Sequence, residues 1–179
     1  MSTIETRQAL PTGTWNADPV HSEIGFAVDY MAGTFRGTFS TFEAHIDDGR
    51  LEGSAEVASV QVKEPMLEGH LQSPEFFDAE RHPRLAFTSD EIARSGNDVT
   101  VVGEITIRGH TEPVQLRGAI SEPITDPYGN ERFGLRLRTT VDRTRFGLNW
   151  NAQLPTGQPA LSNEVQIVAE LQLVRASER

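Results

Sequence analysis

Apolar and polar residues alternate in two-residue steps through most of this chain. Ile24, Phe26, Val28 and Tyr30 alternate with Gly25, Ala27 and Asp29, and Val99, Val101, Gly103, Ile105 and Ile107 form a second such row. Phe133, Leu135 and Leu137 alternate with Arg132, Arg136 and Arg138, and Val165, Ile167, Ala169, Leu171 and Leu173 form the last row. This period sends successive side chains to opposite faces, one dry and one wet, and predicts half-buried β-strands. Eight long strands are expected, over 21–30, 34–46, 51–62, 84–94, 99–107, 113–122, 131–141 and 163–174. Asp48-Gly49, Ser95-Gly96-Asn97-Asp98 and the run 126–130 are turn signals between them, so consecutive strands are antiparallel neighbours. Residues 1–12 are polar and aperiodic and are expected to be a loose tail, ahead of a single domain over 13–175.

One segment breaks the pattern. Residues 65–79 read as a short helical insertion, with Ser73 placed to cap a helix and Pro74 to occupy its first position. Phe76 and Phe77 then set two large rings side by side, and Pro83 ends the segment. Glycines recur inside the strands at Gly25, Gly37, Gly53, Gly103 and Gly118, as in a sharply bent sheet. An antiparallel meander leaves two open edges unless it closes. The expected fold is therefore all-β: an eight-stranded antiparallel up-and-down barrel with an aromatic plug. A two-sheet sandwich needs longer crossovers than most of these loops provide.

Composition narrows the class. The 179 residues suit one domain, and no apolar run approaches the roughly 20 residues of a membrane span. The first residues show neither a basic nor an apolar signal region, which suggests a cytoplasmic protein. The absence of cysteine excludes disulfides and thiolate metal sites. A formal net charge of −10 argues against nucleic acid and anionic membrane surfaces as electrostatic partners. Lys63 is the lone lysine among 16 basic residues.

Four blocks carry a family resemblance: 15–26 (Trp-Asn-Ala-Asp-Pro-Val-His-Ser-Glu-Ile-Gly-Phe); 70–78 with His82-Pro83 and Phe87; 103–111 with Pro113-Val114; and 142–148 (Asp-Arg-Thr-Arg-Phe-Gly-Leu) followed by Val165. Together, in this order, they resemble the YceI family of polyisoprenoid-binding, lipocalin-like proteins over nearly the whole chain. The resemblance implies a barrel enclosing an elongated apolar tunnel, threaded by a polyprenyl chain or the tail of an isoprenoid quinone. It is compatible with a homodimer. Family members are often exported, whereas no signal is seen here. They also often carry a basic residue or histidine after the first long strand, where this chain has Asp29-Tyr30-Met31.

The candidate ligand-binding residues are Phe26, Val28, Tyr30, Phe35, Phe39, His70, Phe76, Phe77, Phe87, Phe133, Leu148 and Trp150. Alternation alone leaves open whether they line a hollow barrel or fill a solid one. Asp18, His21 and Ser22 at the start of the first long strand admit an acid–base reading with Ser22 as nucleophile. They also admit a structural one, in which they satisfy backbone groups at the barrel end. The spacing favours the second. None of the five histidines forms a close pair, so no metal site is expected. Asp142 is placed to cap one helical turn, and Arg143 and Arg145 either face an anionic headgroup or are solvated. No phosphate-binding glycine loop or nucleophile elbow is present.

The expected function is non-catalytic binding of a long isoprenoid lipid, for storage, transport or sequestration, with no cofactor beyond that ligand and no stable membrane insertion. Two rivals stand. One is a small hydrolase or isomerase using Asp18, His21 and His70, which requires those side chains to converge on one cavity. The other is a filled barrel acting as an interaction module, which requires no internal void.

Overall fold

The computed structural model describes residues 10–176. Its strands are β1 (Thr14–Ala17), β2 (Glu23–Tyr30), β3 (Gly33–Phe39), β4 (Phe42–Asp47), β5 (Arg50–Glu56), β6 (Val60–Gln61), β7 (Arg84–Ser95), β8 (Asp98–Ile107), β9 (His110–Ile120), β10 (Ile124–Thr125), β11 (Glu131–Asp142) and β12 (Leu161–Arg175). Helix α1 (Pro65–Gln72) lies between β6 and β7, and single 3-10 turns occupy Val57–Ser59 and Arg143–Phe146. Every ladder is antiparallel.

The sheet closes on itself in the order β1, β4, β5, β7, β8, β9, β11, β12 and back to β1, an eight-membered ring. Strands β2, β3 and β6 continue three of these members past the ring on one side. Two of the expected long strands are thus each broken in two: 34–46 at Ser40-Thr41, and 51–62 by the 3-10 turn at Val57–Ser59. The break is stitched by backbone bonds from Ser40 to the Ser59 carbonyl and from Glu56 to the Thr41 carbonyl. Closure removes the edges that an open meander would expose. The hairpin at Asp48-Gly49 has φ of 48° and 82°, the left-handed pair that matches strand twist in a two-residue turn.

Strand β1 was not foreseen as a strand. It closes the ring by pairing Trp15 with both Ile46 of β4 and Arg175 of β12. Trp15 is wholly buried, donates from Nε1 to the Thr12 carbonyl, and has the Arg175 guanidinium 4.4 Å above its ring.

The two ends of the barrel differ. At one end lie the short turns 48–49 and 96–97, with the loop 121–130. At the other lie the turns 31–32 and 108–109 and the two long segments 62–83 and 143–160. The interior forms two clusters accordingly. One packs Trp15, Ile46, Val99, Val101, Phe133, Leu135 and Leu173 at the short-turn end, with Trp15 and Phe133 edge to face at 4.8 Å. The other gathers Val28, Phe39, Leu71, Phe76, Phe77, Ile107, Phe146 and Leu148 under the long segments. Arg94 and Glu122 form an ion pair at the filled end, with the Arg94 side chain itself buried.

Helix α1 begins at Pro65, where the helical insertion is expected to begin, and Ser73 does not cap it. Ser73 terminates it: both its N–H and its Oγ donate to the His70 carbonyl, at 3.1 and 2.6 Å. Two Ser/Glu-Pro steps flank this helix, and proline suits the first position of either. The stretch upstream of Ser73 proved the better former.

Candidate functional site

The second cluster surrounds a cavity of about 230 Å³. Its floor lies at mid-barrel, where Ala44, Leu51, Leu116, Leu137 and Leu171 seal it from the filled end. Its walls are the inward rows of β2, β7, β8 and β12, among them Phe26, Val28, Phe87, Ile105, Val165 and Ile167. Its roof is built from α1 and the two long segments, through Leu67, His70, Leu71, Phe76, Phe77, Phe146, Leu148 and Trp150. Polar side chains in the lining are few: Tyr30, Ser54, His70 and Arg143.

Of the twelve expected ligand-binding residues, eleven line this cavity; Phe133 does not. It is 2% exposed in the filled end, packed on Trp15. It shares the inward face of β11 with Leu137 and Val141, which do reach the cavity, but sits lower along the barrel. Alternation assigns a face and says nothing of height. Leu85, Phe146 and Leu161 also line it from strand ends and a turn, where the two-residue rhythm stops, and Ile107 does so from within an alternating row, since alternation does not separate lining from packing.

The aromatic lining is arranged edge on. Phe77 meets Phe26 and Phe39 at 6.3 and 6.1 Å with rings tilted about 70°, the geometry that offers a positive edge to a negative face. Gly37 makes this possible: a Cβ there would sit 2.6 Å from the Phe26 ring. Phe76 and Phe77 follow the helix instead of lying on it. Phe77 is held by its N–H on the Leu71 carbonyl, and the turn closes through Asp78 N–H to Ser73 and Ala79 N–H to Gln72. His70 presents its ring edge to Phe76 and Trp150, at 4.8 and 4.9 Å, while Nε2 turns outward to Glu75 at 2.6 Å.

The roof is tied down by Arg108, at φ 51° in the β8–β9 turn. Its guanidinium donates to the Pro74 carbonyl at 2.8 Å and to the Gly147 carbonyl, joining the two long segments. Beneath them the wall is parted. Strands β9 and β11 pair only over residues 117–120 and 135–138, and β6 extends beyond the start of β7. The cavity end of the barrel is therefore covered by loops and side chains where the filled end is closed by ladders.

Arg143 and Arg145 separate. Asp142 caps the turn, its carboxylate accepting from Thr144 N–H and Oγ1 at 2.9 and 2.6 Å, and these bonds hold its pKa below the ordinary carboxylate value. Arg145 is exposed. Arg143 is 4% exposed and forms part of the cavity wall. It donates from Nε to the Ser162 carbonyl at 2.9 Å and from Nη1 to the Leu148 and Trp150 carbonyls at 2.6 and 2.8 Å. Burial lowers its pKa, opposed by the nearby charge of Asp142.

Asp18, His21 and His70 do not converge. Asp18 accepts from His21 at 2.7 Å and from Arg132, and its backbone N–H bonds Gln172 near the end of β12. Ser22 Oγ accepts from Gln172 N–H at 2.9 Å. These residues join the filled end of the ring, whereas His70 lies in the roof. Among the described residues no group of three or more histidine or acidic side chains is placed to hold a metal, and no helix is long and apolar enough to cross a membrane.

Residues 15–173 match the YceI-like domain. A UPF0312 protein of Staphylococcus epidermidis is 29% identical over 167 residues, covering 87% of this chain and 94% of that one. Protein YceI of Escherichia coli is 24% identical over 163 residues, covering 87% and 82%. Among solved structures, BcnA of Burkholderia cenocepacia superposes with a TM-score of 0.75 at 24% identity, covering 87% of this chain and 98% of BcnA. A polyisoprenoid binding domain from Saccharophagus degradans, implicated in plant cell wall breakdown, superposes with a TM-score of 0.68 at 10% identity, covering 93% and 100%.

Proposed function

The chain belongs to the YceI-like domain family, and from that premise we propose that it binds a long isoprenoid lipid in the half-hollow barrel without chemistry, to store, carry or sequester it. The observation that carries this reading is the apolar cavity of about 230 Å³ beneath a roof of loops. A largely apolar void offers water few polar partners, and even an engineered one of about 150 Å³ takes up benzene. A hydrocarbon chain is the natural occupant.

The magnitudes agree. Each buried methylene supplies about 0.8 kcal/mol, so ten supply roughly 8 kcal/mol gross, the free energy of a micromolar complex. Ordering a flexible chain reduces that sum. A cavity that holds only part of a long chain therefore still suffices for binding. Selectivity by this wall alone is for girth and shape, since branched methyl groups and planar double bonds meet Phe26, Phe39 and Phe77 edges.

Native mass spectrometry of the purified protein, followed by organic extraction and identification of the bound mass, tests the proposal. A polyprenyl compound in stoichiometric amount is expected. An empty protein that takes up neither added polyprenols nor isoprenoid quinones would refute it.

A further inference from the structure

Arg143, one of the few polar residues of the cavity lining, carries one unmet donor. Among the described residues, Arg143 Nη2 is the one buried side-chain nitrogen or oxygen without a hydrogen-bond partner. The other guanidinium donors are engaged by three backbone carbonyls, and Asp142 acts on the charge through space only, without a hydrogen bond to it. Asp142, its sequence neighbour, is committed to Thr144. Leaving a buried charged donor unmet is costly. Holding the 143–150 turn and tying it to β12 uses only Nη1 and Nε, so the free Nη2 is not explained by that structural task.

Position adds a direction. Arg143 stands where β11 gives way to the roof, and one of its carbonyl acceptors belongs to Trp150, whose ring meets His70 edge to face and Phe76 at a tilt. The opposite limit of the cavity is wholly aliphatic, made by Ala44, Leu51, Leu116, Leu137 and Leu171. The polar and apolar ends of the site are thus segregated along the barrel.

We infer that Arg143 Nη2 is a headgroup subsite: the lipid lies tail first toward the leucine floor, and an oxygen acceptor on its polar end, best an oxyanion such as a phosphate, completes the guanidinium beneath the roof. This rests on the carrier reading above and extends it from a hydrocarbon site to an amphiphile site with a fixed orientation. Charge-assisted bonds to phosphate or carboxylate oxygens are the strong kind and suit the planar fork of arginine. Arg145, exposed on the same turn, is assigned no part in it.

The test uses a chain-matched C20 series: an isoprenyl phosphate, an isoprenyl ketone and the isoprenoid hydrocarbon, each titrated into the delipidated full chain. The wild type is expected to bind the phosphate at least tenfold more tightly than the hydrocarbon, with the ketone between. Arg143→Met should bring the phosphate-to-hydrocarbon ratio within twofold while hydrocarbon binding persists, and Arg145→Met should leave the ratio unchanged. Equal affinities across the series in the wild type would overturn the subsite and leave the carrier reading intact. Loss of the ratio in Arg145→Met alone would overturn it too. Failure of all three ligands to bind would remove the carrier reading and the subsite with it. Should Arg143→Met not fold, the side-chain NMR resonances of Arg143 in the wild type decide: a shift with phosphate but not with hydrocarbon supports the subsite, and no shift refutes it.

Discussion

The two halves of this barrel are made of the same kind of strand and do opposite things. In the lower half, Trp15, Ile46, Val101, Phe133 and Leu173 meet across the axis and leave nothing open. In the upper half, inward residues of comparable size stand around a void. The difference lies in what crosses the axis. Below, the Trp15 indole reaches Phe133, so two large rings fill the bore. Above, the rings of Phe26, Phe39 and Phe77 lean on one another along the wall, and Gly37 leaves room for them to do so. Continuous ladders back the solid half; loops and the Arg108 bonds cover the hollow one. Rigidity and capacity are thus kept in separate places.

Substitutions can break that contrast. The largest effect on stability is expected from Phe133→Ala, which opens a cavity in the packed half and should cost about 3–5 kcal/mol in urea unfolding. Lipid bound per folded molecule should not change; a selective loss of lipid would show that the halves are coupled. Phe77→Asp should do the reverse. A charge set against Phe26 and Phe39 should abolish lipid uptake while circular dichroism reports an intact barrel, and uptake at wild-type level would sink the role assigned to the roof. Smaller still, Arg108→Ala removes the bonds joining the two roof segments. A loss of about 1.4 kcal/mol from charge-assisted hydrogen bonds corresponds to roughly tenfold faster lipid release in stopped-flow exchange. Equilibrium stability of the solid half should hardly move.

The mildest test concerns acid. Asp18 is held below its ordinary value of 3.8 by its bond with His21, then by Val20 N–H and Arg132, and Asp126 is lowered by Asn130 N–H and Arg132. Because these folded-state values are depressed, their stabilisation is complete above the ordinary carboxylate value and fades as pH falls through the lowered ones. Arg132→Met should flatten the fall in urea midpoint below about pH 4, without altering lipid uptake at neutral pH. An unchanged acid slope would show that Arg132 is not what ties these carboxylates to the closed end.

How much of this was legible beforehand follows the same division. The strands at 84–94, 99–107, 131–141 and 163–174 appeared within two residues of their observed bounds, because long ladders obey one period. Closure was readable from the hairpins and the edge problem. Strand β1 was not, since Thr14–Ala17 is too short to show a rhythm and is a strand only because β4 and β12 flank it. The helical insertion starts at Pro65 as its expected bounds have it, but the Ser73 cap reading fails because two prolines qualify and only packing chooses between them. Phe133 was counted with the ligand residues because its face is correct; the depth at which Trp15 blocks the bore is a tertiary fact. The burial of Arg143 beside exposed Arg145 is another, fixed by carbonyls at Leu148, Trp150 and Ser162 that no spacing announces.

The pairing of Trp15 with Arg175 has a consequence in time. During synthesis the first barrel strand emerges some 160 residues ahead of its β12 partner, at a chain growth rate of roughly 5–20 residues per second. For those seconds β1 and β2 lack the neighbour that covers their outer edge, and the hairpins already made form an open, curling sheet. The closing strand then bonds β11 along one side and β1 and β2 along the other, so the ring, its floor and the seat of the roof arrive in one late, cooperative step. A nascent chain short of β12 lacks the wall residues Leu161, Val165, Ile167, Ala169 and Leu171, so the cavity is complete only once the last strand is in place.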